Sequence, residues 1–202
     1  MNLNEEKRMA GTYEVIQSFE IGRKEIIIGE DKNALPDERF VVANCENNGI
    51  FERYVEALAS KDFAEIAKIF AERIKNEAEL VIDEKNKIDV DISPIEANDC
   101  RAINPDDKLK NLVVVIRADV FKPEYQIATR QLQLCTGGFG AEPNSRGSAC
   151  FCTNLYSGKE TRFERRDILG IIDKDKLPEW AKNRLDEIQK ERTEKRKDRD
   201  LR

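Results

Sequence analysis

Between Phe63 and Val81 the apolar residues Phe63, Ile66, Ala67, Phe70, Ile74, Ala78 and Val81 recur at intervals of three and four. That is the period of an α-helix with one apolar stripe, and such a stripe is stable only when another layer buries it. Ser60 is expected to cap the helix, with Asp62 in its first turn, and Glu65, Lys68, Glu72, Arg73 and Glu79 are expected to face solvent. The preceding residues supply the second layer. Residues 12–20 (TYEVIQSFE) and 24–29 (KEIIIG) are rich in strand formers and are joined at Ile21-Gly22-Arg23, which predicts a hairpin. After a loop containing Pro36, residues 39–45 (RFVVANC) extend the pattern to a third antiparallel strand, closed by the turn signal Asn47-Asn48-Gly49. Residues 50–59 are expected to form a short first helix ending at Ala59.

A polar stretch at 83–91, followed by Pro94 and Pro105, marks the candidate boundary between an acidic module at 1–88 and a β-rich module at 89–202; one continuous domain is the alternative. Four further strands are predicted at 112–118, 128–135, 148–155 and 160–165, forming a second sheet or a small curved, barrel-like one. Pro178 opens a C-terminal helix whose apolar seam is Trp180, Leu185 and Ile188. Its last dozen residues are either a solvated helical extension or a disordered tail. The fold class is therefore α+β: antiparallel sheet regions with a long central amphipathic helix and a C-terminal helix.

The chain has 202 residues and no histidine. This excludes the commonest general base near neutral pH, the Ser-His-Asp and Cys-His arrangements, and every zinc site that uses histidine. With 40 Asp and Glu, carboxylate pairs arise by chance, and neither Pro36-Asp37 nor Pro105-Asp106 is followed by Asp/Glu-x-Lys at a plausible strand spacing, as a nuclease pattern would require. No apolar run approaches the roughly 20 residues of a membrane helix, and residues 1–11 lack the apolar stretch of a signal peptide, so the protein is expected in the cytoplasm. The five cysteines are expected to be reduced thiols. Cys135, Cys150 and Cys152 form a tetrahedral thiolate site only with Cys100 or Cys45. Their C-x-C spacing instead places Cys150 and Cys152 on one strand face, as small apolar groups, so neither metal nor cofactor is expected.

The charge is uneven. Residues 1–101 carry 14 Lys and Arg against 23 Asp and Glu, a net −9, whereas 102–202 carry 21 against 17, a net +4. Such polarity suits a nucleoprotein partner, which offers both basic protein and acidic phosphate, unless the charges intermix in three dimensions. The run Gly137-Gly138-Phe139-Gly140 matches neither a Walker loop nor a dinucleotide fingerprint. It reads either as a wide hairpin that needs positive φ or as a partner-facing loop at 137–147, with Phe139 at its tip and Arg146 near its end. Around it lie Arg130, Lys159, Arg162, Arg165 and Arg166, interleaved with Phe151, Tyr156 and Phe163. Arginines beside aromatics can neutralise phosphates and stack on bases. Salt pairing with Glu142, Glu160 and Glu164 is the competing explanation of the same arginines.

The segments FKPEY (121–125), QLQLCTGGFG (131–140), RGSACFC (146–152), RRDILG (165–170) and LPEWAK (177–182), with TYEVIQSF (12–19), resemble accessory proteins and domains carried by conjugative elements and phages of gut Firmicutes. That family has no assigned catalytic residues, so the resemblance implies a context and transfers no site. The context is assistance to DNA transfer or the disarming of host defences. Together these features predict a non-enzymatic anti-defence or accessory protein that binds a host protein or nucleoprotein complex, for example a CRISPR nuclease, through Phe139, Arg146, Arg130, Tyr156, Lys159, Arg162, Arg165 and Arg166. A direct nucleic-acid-binding module on the same sheet is the alternative, and a carboxylate- or thiol-dependent enzyme a third.

Overall fold

The computed structural model describes residues 7–47 and 51–200, the side chains of 192–200 excepted. The chain divides into two compact units, Met1–Lys87 and Ile88–Arg202. Counted over these units the formal charges are −6 and +1, a gentler polarity than that of the two halves, because Asp89, Asp91, Glu96 and Asp99 belong to the second unit.

The first unit is a five-stranded antiparallel meander in sequence order, β1 (Met9–Ala10), β2 (Tyr13–Ile21), β3 (Lys24–Glu30), β4 (Phe40–Asn47) and β5 (Glu52–Ser60), followed by the long helix α1 (Phe63–Asn86). Both faces of the central strands are apolar, which is why 26–28 and 41–43 read as continuous runs. Ile26, Ile28 and Val42 meet Ile66 of α1, with Ile21, Phe40, Phe70 and Ile74 packed around them. On the opposite face Ile27, Val41, Ala43 and Cys45 pack with Ala10, Tyr13, Val15 and Tyr54. Gly22 turns the β2–β3 hairpin at φ +58°, and a Cβ there would lie 2.7 Å from the Glu77 carboxylate. That close approach lets Glu77, buried in α1, accept from the Arg23 N–H at 3.2 Å and pair with Lys24 at 3.5 Å.

Three expectations for this unit need correction. The short helix ending at Ala59 is instead strand β5. A bulge at Glu56 (φ +54°) shifts its register on β4 and breaks the alternation that would have announced a strand. Arg73 is half-buried and engaged: it reaches the Asn44 side chain at 3.3 Å and the carbonyl of the bulged Glu56 at 2.6 Å. The helix cap is Asp62, which accepts from the Ala64 N–H at 2.8 Å, while Ser60 accepts from the Asp62 N–H and donates to Glu65. Residues 48–50, with the predicted turn signal, lie outside the described residues.

The second unit holds β6 (Val113–Ile116), the single helical turn α2 (Ala128–Gln131), β7 (Leu132–Gly137), β8 (Ala149–Asn154), β9 (Glu160–Glu164), β10 (Ile168–Ile171) and α3 (Glu179–Asp200). The sheet order is β10-β6-β7-β8-β9, all pairs antiparallel. Val113, Val115, Leu132 and Leu134 face Ala181, Leu185 and Ile188 of α3. The other face, with Val114, Ile116 and three cysteines, is covered by Leu109 and Ala141 from loops, and Phe121 and Phe163 pack against it. The predicted strand at 128–135 begins as α2, and β10 was not foreseen. The α3 backbone is helical to Asp200, which resolves the tail as a helical extension up to that residue. No helix among the described residues is long and apolar enough to cross a membrane.

Candidate binding surface

The loop after β7 is pinned along its first half. The chain leaves the strand through Gly138 at φ +102°, and a Cβ on Gly138 or Gly140 would fall within 2.3 Å of the carbonyls of Ala149 and Ser148. The backbone therefore lies flat on the start of β8, with Gly140 and Ala141 buried. Phe139, between Gly138 and Gly140, points outward and is 78% exposed. Positive φ is required, as the hairpin reading expects; the tip is nevertheless a short helical turn (Phe139–Ala141) and not a wide open loop.

Arg165 braces this arrangement from beneath. Its guanidinium donates to the carbonyls of Gly140 (2.7 Å), Asn104 (2.7 Å) and Asp107 (3.0 Å), with longer contacts to those of Glu142 and Pro105. One side chain thus ties the 104–107 and 140–142 segments together. The planar fork of arginine suits this task as a lysine ammonium does not. Asp107 is itself gripped by Arg101 at 2.9 and 3.0 Å and by the Asn104 N–H at 2.7 Å. These bonds, that from Arg101 foremost, hold its carboxyl down at about 2.

Beside the brace opens a cleft of about 660 Å³ lined by 103–105, 144–148 and 164–166. Arg146 and Arg166 line it, and their side chains form no hydrogen bond or salt bridge among the described residues. Glu164, also in the lining, is engaged by the Ser148 hydroxyl and by Arg162 at 2.6 Å. The Ser148 bond, then the charges of Arg162 and Arg166, keep its carboxyl below the usual range. Gly147 places Phe139 at the cleft rim, since a Cβ on that glycine would meet the Phe139 Cβ at 2.5 Å. Phe151, 51% exposed, stands opposite Arg162 in the β8–β9 register, and its ring edge lies against Gly138.

Of the residues singled out from the sequence, the fold gathers Phe139, Arg146, Arg162, Arg165 and Arg166. Arg165 is a brace and Arg162 a partner of Glu164, so the salt-pairing explanation holds for Arg162 and fails for Arg146 and Arg166. Arg130 lies on α2, stacked over the Tyr125 ring at 5.1 Å. Tyr156 and Lys159 sit in the β8–β9 turn, where Tyr156 packs edge-to-face on Trp180. That turn is built by Asn154, which donates to the Thr129 carbonyl and accepts from the N–H and hydroxyl of Ser157. Phe151 belongs to the surface too. Alternation with buried Cys150 and Cys152 was the signal for it, since a residue between two inward cysteines of a strand points out.

The thiols of Cys135, Cys150 and Cys152 converge under the loop, Cys135 facing Cys152 across β7 and β8. All three are buried and all five cysteines are free thiols. Cys150 and Cys152 are pushed up by their interactions with Cys135 and by burial. Of the three, Cys135 is the thiol whose ionised form is favoured, through hydrogen bonds from Cys150 and Cys152. Among the described residues no set of three or more Cys, Asp or Glu side chains is arranged to hold a metal ion.

No family model, no curated protein and no solved structure matches the chain.

Proposed function

We propose that the protein works by binding and not by catalysis, as an accessory of a mobile genetic element that docks on a host nucleoprotein machine and inhibits it, a CRISPR nuclease being the concrete example. The observation that carries the proposal is the exposed Phe139 on a pinned loop, beside a cleft whose Arg146 and Arg166 side chains form no hydrogen bond or salt bridge among the described residues. An aromatic anchor that is already ordered loses little conformational entropy when a partner arrives, and aromatic and arginine side chains dominate interface energetics. The absence of histidine and the resemblance to mobile-element accessory proteins support the same assignment. The test is affinity capture from a nuclease-treated lysate of a gut Firmicute, comparing the protein with its Phe139→Ala/Arg146→Ala variant. A nuclease-resistant partner recovered by the first and lost by the second is the expected result. Equal recovery by both would place the interface elsewhere.

A further inference from the structure

We infer that the cleft and the two exposed rings beside it form a short receptor for single-stranded nucleic acid, with phosphates on Arg146 and Arg166 and unpaired bases on Phe139 and Phe151. The inference rests on the proposal that this surface is an interface, and it names the chemistry the interface takes.

The distribution of arginine partners is the first ground. In the first unit Arg8, Arg23, Arg39, Arg53 and Arg73 all bond to a carboxylate or a carbonyl. In the second, Arg101, Arg117, Arg162, Arg165 and Arg184 do the same, and Arg130 covers a ring. Among the arginines whose side chains are described only Arg146 and Arg166 have no such contact, and both line the same concavity. Glu164, the carboxylate within that lining, is already engaged by Ser148 and Arg162, so the cleft keeps a surplus of positive charge. Two guanidinium forks in a recess with a low-dielectric wall are suited to phosphate oxygens.

The second ground is the placement of the rings. Phe139 lies over Gly147, next in sequence to Arg146, and Phe151 lies against Gly138 and opposite Arg162. Two exposed rings, Phe139 and Phe151, therefore lie between the cleft arginine Arg146 and Arg162 of β9. Bases offer their π faces to such rings only when unpaired, because a duplex hides those faces in its stack. With two free arginines the receptor covers few phosphates. Its affinity should fall with salt at a log–log slope of about −1.4, the single-strand value for two neutralised phosphates.

The experiment is fluorescence anisotropy on the full chain with labelled DNA and RNA single strands of roughly 12 nucleotides and the matching DNA duplex, titrated across a salt series. Single strands should bind at least about tenfold more tightly than the duplex. Arg146→Ala/Arg166→Ala should weaken binding about tenfold and flatten the slope towards zero, whereas Phe139→Ala should weaken it to a similar extent with the slope intact. Circular dichroism and thermal unfolding confirm that the variants fold. The DNA and RNA arms identify the strand. Absence of single-strand binding at low salt, equal binding of the duplex, or indifference to both variants would overturn the inference. If strands do not bind while nuclease-resistant capture still depends on Phe139 and Arg146, the interface stands and takes protein. Loss of both results removes the interface as well.

Discussion

The two units each build a five-stranded antiparallel sheet, but they stitch and cover it differently. In the first, strand order follows the sequence and one face is closed by a single long helix through Ile66 and its neighbours. In the second, the last strand returns beside the first, and one face is closed by irregular segments held through polar bonds. Gln131 shows how this is done: its buried amide accepts from the Ile95 N–H and donates to the Ile95 and Ile116 carbonyls, so a stretch without secondary structure is anchored like a strand. Arg165 does the same for the loops beside the cleft. A helix buries one face cheaply but presents little relief, whereas loops braced by side chains can cover a core and also carry an outward-facing Phe139. The contrast extends to charge. Among the described side chains the first unit commits its arginines to internal partners, and the second leaves Arg146 and Arg166 without a hydrogen bond or salt bridge at a cleft.

The contrast can be broken by removing each unit's own fastening. Ile66 is fully buried between α1 and the sheet, so Ile66→Ala should cost about 4 kcal/mol. Hydrogen exchange should report the loss in peptides from 21–45 and 63–86. Arg165→Ala should cost about 3 kcal/mol, because several carbonyls lose charge-assisted donors at once. The loss should appear in peptides from 104–107 and 138–148, and Arg165→Lys should restore only part of it. A larger effect of the helix substitution on the cleft peptides than of the arginine substitution would contradict the account.

Acid sharpens the same comparison. Arg8 donates to both oxygens of Glu25 at 2.5 and 2.8 Å, and this bond is the main reason that the Glu25 carboxyl lies below its ordinary 4.5. A carboxyl lowered by folding stabilises fully above its unfolded value and loses that contribution as pH falls through the folded one. The first unit should therefore lose stability as pH drops below about 4.5. Glu25→Gln should lower stability at neutral pH and reduce the slope of stability between pH 5 and 3, measured by urea unfolding. A smaller effect is expected at Trp180, whose buried indole N–H has no acceptor among the described residues. Trp180→Phe removes an unsatisfied donor and should change stability by less than about 1 kcal/mol in thermal unfolding.

Sequence pattern reached the first unit further than the second for a physical reason. The helical stripe and the hairpin are local, and each is specified by residues three, four or two apart. Strand β5 escaped because Glu56 bulges, an event decided by pairing with β4 and not by its own composition. In the second unit β10 escaped because ILGI is short and is a strand only through its partner β6, far away in sequence. The cleft was half legible. Composition pointed to Phe139, Arg146 and Arg166, but it gave Arg165 the same standing, and nothing in a linear run tells a free guanidinium from one spent on the Gly140, Asn104 and Asp107 carbonyls.

The central claim is that the 137–147 loop is a braced binding surface and not a plug. Its most direct test is to measure affinity and stability on the same Phe139→Ala/Arg146→Ala protein, using the partner or strand that the preceding experiments identify. The account expects binding to weaken by about 2 kcal/mol or more while stability changes by less than about 1 kcal/mol, since neither side chain is buried or bonded internally. Lost stability with retained affinity would contradict it and make Phe139 a structural element of the loop.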